Sequence, residues 1–292
     1  MVVCLGESPA ALLLTLPVLA NEAQKFGWGF VGAPIAVAIT DNLLPVCLFV
    51  YVYFVAGSEC WNGFSRRSLQ NWGPMIRLAL PGLAMVEAEC LAFEVLTLAS
   101  SYLGTSALAA QSVLSTVTSV TFQIPFPLSI AGSTRIANLI GASLVPAAKM
   151  AAKVTLGCAV FVGIFNVVML SSLRSYIPVL FSSDPEVIDL VAHVMPLCAA
   201  FQLFDALSAA CNGILRGVGR QEVGGYTQLF CYYAIAMPIS MTATFKFNGG
   251  LLGLWSGVAL ALGLVALIEA IFLSKSNWQR SVDDALARNE MA

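Results

Sequence analysis

Charge is scarce in this sequence, and what basic charge there is never gathers. Only 10% of the 292 residues are charged, and the 14 Lys and Arg residues stand in ones and twos. No basic patch could follow a phosphate backbone, which excludes a nucleic-acid binder. Histidine is all but missing. His193 stands alone in an apolar segment where a packing role suits it, and a metal site would need Cys or carboxylate partners at matched spacing, which do not appear. The eight cysteines (Cys4, Cys47, Cys60, Cys90, Cys158, Cys198, Cys211 and Cys231) fall singly, none in a CxxC spacing, and read as small buried apolar residues. No GxxxxGK[ST] occurs, so there is no nucleotide engine, and RGVGRQEVGG near Arg216 reads as a tight turn. The start, MVVCLGESP, lacks the basic flank of a signal peptide. No cofactor, metal or enzyme's constellation is expected.

What is abundant is apolar surface. With 59% apolar residues and a mean hydropathy of +0.85, the chain reads as an all-α integral membrane protein. Apolar runs long enough to cross a bilayer predict seven spans, near 29–55, 74–103, 106–132, 149–171, 187–215, 224–246 and 251–274. A shorter run from Ala10 to Ala20 predicts a partial helix. When the loops alternate between sides, eleven basic residues from Arg66 to Arg288 fall on one side; only Lys25, Arg174 and Lys246 fall on the other. The excess predicts a cytoplasmic C-terminus.

Carboxylates at membrane depth are costly and therefore informative. Glu87, Glu89 and Glu94 share the second run. At 100° per residue Glu87 and Glu94 lie on one face, while Glu89 points about 160° from Glu87. Pro81 and Gly82 precede them and could kink the helix, so periodicity leaves open which acids are wet. Asp205 lies in FQLFDALSAACNGILRG, where Ser208, Ala209, Ala210 and Gly213 suit close helix packing and an inner wall. Asp41, beside Asn42 and one turn before Pro45, fits a cavity lining or an interhelical hydrogen bond. Glu269, near the end of the last span, is expected to snorkel to the interface and to be structural.

At these residues the chain resembles the second half of the eukaryotic multidrug and toxic compound extrusion (MATE) family. The matching residues are LALPG followed by Glu89 and Glu94; Ala110-Gln111-Ser112; Pro125, Ser129, Arg135, Asn138 and Gly141; and LFDAL around Asp205. They continue through Arg216-Gly217, Gly219, Gln221, Gly224, Tyr232-Tyr233 and Pro238 to Gly253-Leu254-Trp255-Ser256-Gly257 and Asn277-Trp278. The resemblance covers about Gly27 to Trp278. It implies two six-helix lobes facing across a central cavity with alternating access. Residues 74–278 would form the second lobe, 26–73 the last helix of the first lobe and a linker, and 279–292 a cytoplasmic tail. Most of the first lobe would be missing, and residues 1–25 would be a remnant of its fifth helix or follow a displaced start.

Carried over, the resemblance makes Glu89 the principal carboxylate, Glu94 a second acid and Asp205 the acid of the tenth helix, together a proton- and cation-coupling set. Glu87 has no family counterpart. Gln111, Thr116, Tyr232, Asp41 and Glu87 are candidate cavity-lining residues, Thr116 standing where some animal members have an extra acid. Cys90-Leu91 replaces an aromatic pair, Pro127 a glycine and Gln228 an asparagine. The implied function is antiport of small organic cations or amphipathic solutes against protons, with sodium less favoured, in the plasma or vacuolar membrane. A facing lobe, or another copy, would have to complete the cavity. Two alternatives stay open: a seven-span receptor, disfavoured by short loops and no outer cysteine pair, and a non-transporting fragment that binds or dimerises.

Overall fold

The computed structural model describes residues 38–39, 42–43, 45–47, 49–51, 53–54 and 72–283, and the chain divides into two units, Met1–Gln70 and Asn71–Ala292. In the first, the described residues are helical; Asn42 Nδ2 donates to the Ala38 carbonyl one turn back at 2.7 Å. The expected partial helix at 10–20 lies outside the described residues, as does much of the expected span 29–55.

The second unit is a helix bundle, and its described residues include no strand. Its elements are α1 (Trp72–Ser101), α2 (Thr105–Phe122), α3 (Pro125–Gly141), α4 (Val145–Ser172), α5 (Ile177–Phe181), α6 (Pro185–Val218), α7 (Gln221–Leu229), α8 (Met237–Met241) and α9 (Gly250–Lys275). Two π-helical stretches, Phe230–Ala236 and Thr242–Lys246, flank α8. At the first of them the Met237 N–H reaches five residues back to the Tyr232 carbonyl, beside Pro238, which has no N–H to continue an α-helical ladder.

Among the described residues, four helical stretches are long and apolar enough to cross a membrane: Thr105–Gly141, Val145–Ser172, Pro185–Val218 and Gly250–Lys275. Seven were expected. Among the differences, α1 is long but carries three carboxylates and Arg77, and the stretch 221–246 is divided into α and π pieces. The expected span 106–132 also needs correction. It ends as α2 at Phe122, and Pro125 starts α3, which runs on to Gly141 and takes Arg135 and Asn138 out of the predicted loop. Proline at a first helical position has no N–H to leave unsatisfied, so a break just ahead of it is inexpensive.

The central element is α6, which packs on α2, α3, α4 and α9. Asp184 caps its start, accepting from the Glu186 N–H, and Gly219 ends it in the left-handed region at φ 75°. Along its seam with α3, a Cβ on Gly213 would stand 2.5 Å from the Ser129 carbonyl oxygen, and one on Gly217 would stand 2.7 Å from that of Ser133. Only glycine permits that approach. Ser129 Oγ donates to the Ala209 carbonyl at 2.5 Å and accepts from Arg216 Nη2 at 3.1 Å. Outward faces are apolar, as on α4, where Val154, Phe161, Ile164, Phe165 and Val168 are exposed. Lipid tails are the solvent that such a face fits. His193 is exposed instead of packed, and of the described cysteines Cys47, Cys90 and Cys158 are exposed while Cys198, Cys211 and Cys231 are buried.

Candidate functional site

Helix α1 is continuous through Pro81 and Gly82, so its side chains follow simple 100° spacing. Ala88, Ala92, Leu96 and Ala99 form its buried stripe. Glu89 flanks that stripe, about 65° from its centre, whereas Glu87 and Glu94 lie more than about 130° away. Glu87 and Glu89 are half-buried and Glu94 is exposed. The Tyr233 hydroxyl donates to the Ala88 carbonyl at 3.5 Å, tying the first π-helical stretch to α1 beside Glu89.

From this position Glu89 meets groups from three other elements. The Tyr232 hydroxyl stands next to its carboxyl, and Asp205 of α6 and Glu269 of α9 lie within electrostatic reach. Asp205 is 5% exposed and Tyr232 wholly buried. Among the described residues, no hydrogen bond of ordinary geometry closes on the Tyr232 oxygen. Polar atoms buried without partners are rare and costly, and their clustering marks a place prepared for something else. The Gln228 side-chain amide oxygen, on the helix that leads into Tyr232, is likewise buried and without a partner among the described residues.

Beside the carboxyls lies an aromatic cluster. Phe93, Phe201 and Trp255 meet edge to face, with centroids 5.6 to 6.0 Å apart. Trp255 Nε1 donates to Gln111 Oε1 at 2.9 Å. Gln111 is therefore committed within the packed interior, fully buried. Thr116 is exposed, its hydroxyl donating to the Ser112 carbonyl of its own helix. Asp41 lies outside the described residues. Among the proposed residues, the fold thus brings Glu89, Asp205 and Tyr232 together, holds Gln111 against the neighbouring aromatic cluster through Trp255, and leaves Glu94 and Thr116 exposed.

Glu269 is the correction. Expected to snorkel, it is 0% exposed, and neither carboxyl oxygen has a hydrogen-bond partner among the described residues. Its face decides this. Val258, Leu262, Val265 and Leu273 are all buried, and at 100° per residue they share one stripe with Glu269. Depth along the helix suggests an interface residue, while the helical period, which points inward, is the better signal. A groove of about 450 Å³ lined by Ala131, Thr134, Arg135, Asn138 and Leu139 runs along α3 and holds none of the carboxyls.

A bundle of long apolar helices around buried acids defines an integral, multi-pass helical membrane protein. A family model described as MatE matches residues 81–242, more than half of the chain. The protein belongs to the MATE family. It is 39% identical to an uncharacterized transporter of Schizosaccharomyces pombe over 88% of this chain and 48% of that protein. It is 32% identical to multidrug and toxin extrusion protein 1 of Homo sapiens, over 88% of this chain and 45% of that one. Among solved structures it resembles the eukaryotic MATE transporter AtDTX14, with a TM-score of 0.87 at 30% identity over 96% of this chain and 63% of that chain. The chain spans about half the length of the curated relatives it matches.

Proposed function

We propose that the chain acts as the second lobe of a proton-coupled antiporter that exports small organic cations or amphipathic solutes. The observation that carries this reading is that Glu89 and Asp205, from α1 and α6, lie within electrostatic reach of each other and of the buried Tyr232 hydroxyl, which has no hydrogen-bond partner among the described residues. A carboxylate held away from water can be neutralised by a proton or by an organic cation, so the two ligands exclude each other. In an alternating site, exclusion becomes exchange. A pH gradient supplies about 1.4 kcal/mol per unit and the membrane potential about 2.3 kcal/mol per charge per 100 mV, either enough for roughly tenfold accumulation.

In this reading Glu89 is the principal coupling residue, Asp205 its partner and Glu94 a supporting acid at the exposed side of α1. Residues 74–278 form the lobe, 26–73 the last helix of the first lobe and a linker, and 279–292 a cytoplasmic tail. A facing lobe, from the same polypeptide or another copy, closes the cavity, and the protein works in the plasma or vacuolar membrane. Uptake of tetraethylammonium into vesicles bearing the full chain, driven by an imposed pH gradient, tests the reading. Glu89→Gln and Asp205→Asn should each lower it by at least about tenfold. Full uptake by both variants would remove the carboxylate mechanism, and no uptake by the unsubstituted chain would favour the non-transporting fragment.

A further inference from the structure

Glu269 has no role in the site as drawn so far, yet it is the most thoroughly buried acid of the lobe. Both of its oxygens lack a hydrogen-bond partner among the described residues. A carboxyl so placed persists only with a proton or a bound cation as its counterpart. Its neighbours come from every side. Cys211 faces it from α6, Cys231 and Tyr232 from the first π-helical stretch, and Glu89 from α1; none of these groups is basic. Nor do the acids converge as metal ligands, since no group of three or more His, Cys, Asp or Glu among the described residues could hold a metal ion.

Depth orders these groups. The end of the lobe where α6 and α9 finish and α7 begins carries Arg216, Arg220 and Lys275. At 1.5 Å per residue, Glu269 lies about 9 Å from the end of α9, and Cys211, its neighbour on α6, about 10 Å from the end of that helix. Asp205 lies about 20 Å from the same end of α6; on α1, Gly82 sits against the Gln221 side chain and Pro81 against Gly225 at the start of α7, so Glu89 lies about 10 to 18 Å from that end. Tyr232, about 16 Å from the start of α7, lies level with Glu89 and between Asp205 and Glu269. Its buried hydroxyl lies within electrostatic reach of all three acids, Glu89, Asp205 and Glu269.

We infer that Glu269 is a proton-relay residue joining the Glu89 and Asp205 site, through the Tyr232 hydroxyl, to the end of the lobe that carries Arg216 and Lys275. The transfer conserves protons. The Tyr232 oxygen accepts a proton from the Glu89 or Asp205 carboxyl and passes its own phenolic proton to the Glu269 carboxylate. Glu269 then releases that proton to water at the near end, and rotation of the phenol O–H resets the path. This deepens the antiport reading and rests on it for direction, but proton exchange at Glu269 can be tested without transport.

The experiment is difference infrared spectroscopy of the full chain in lipid, between acidic and alkaline buffer and after a pH jump. In the unsubstituted chain, a band from a carboxyl free of hydrogen bonds should titrate, and Glu269→Gln should remove it while Glu89→Gln removes a different one. In Glu269→Gln the remaining carboxyl bands should respond at least about tenfold more slowly to the jump. Glu269→Asp keeps the carboxyl and guards against misfolding of the glutamine variant; it should move the band and hold the rate within about threefold. Spectra of Glu269→Gln or Glu269→Asp superimposable on the unsubstituted chain, or unslowed remaining bands in Glu269→Gln, would overturn the relay. These readouts are independent of tetraethylammonium uptake, so failure of the relay and failure of antiport are told apart.

Discussion

Helix α6 buries polar groups on two sides, and the two sides treat them differently. Against α3, the Ser129 hydroxyl both donates and accepts, and the glycines at 213 and 217 bring the backbones together. Toward α1, α9 and the π-helical stretch, the Tyr232 hydroxyl and both Glu269 oxygens are buried with no partner among the described residues. A saturated polar contact adds about 1 kcal/mol and asks for nothing further, whereas an unsaturated one costs about 1 to 3 kcal/mol until something binds. The seam is thus structural, and the acid cluster holds capacity in reserve for a proton or a cation.

The strongest way to break this contrast is at the seam. Gly213→Leu would drive a side chain into the Ser129 carbonyl and hydroxyl, and should destabilise the lobe by about 3 kcal/mol, read by unfolding in detergent. A loss well under 1 kcal/mol would mean that the seam is loose. Next comes Glu269→Leu, which replaces an unpartnered acid with an apolar group of similar volume. It should stabilise by about 2 kcal/mol in the same assay while abolishing the Glu269 carboxyl band. Destabilisation there would place the two regions in one class. Smallest is Ser129→Ala, expected to cost about 1 kcal/mol and to leave the titrating carboxyl bands unchanged; altered bands would show that the regions are coupled.

Much of this can be read from residues, and what cannot has a common cause. Apolar runs predict α4, α6 and α9 to within a few residues, because lipid imposes length and apolarity together. The small residues after Asp205 predict the buried, closely packed wall that α6 provides. In contrast, the break before Pro125 is hidden inside an apolar run, though the proline itself is a legible start signal. Periodicity places Glu89 opposite Glu87 and Glu94 but cannot say which side is buried, since that depends on neighbours far away in sequence. The bond between Trp255 and Gln111, 144 residues apart, has no local trace at all. Glu269 misleads when its depth along the helix is measured without its bearing around it.

The Ser129 junction has one more consequence, a mechanical one. Its hydroxyl is engaged at two points on α6, the Ala209 carbonyl and the Arg216 guanidinium, like a key seated in a slot, so axial sliding of α3 would break both engagements at once. Gly213 and Gly217 leave no clearance for the helices to roll past each other. With α3 clamped in this way, any flexing between α2 and α3 must be taken up at Gln123 and Ile124, the two residues that join them.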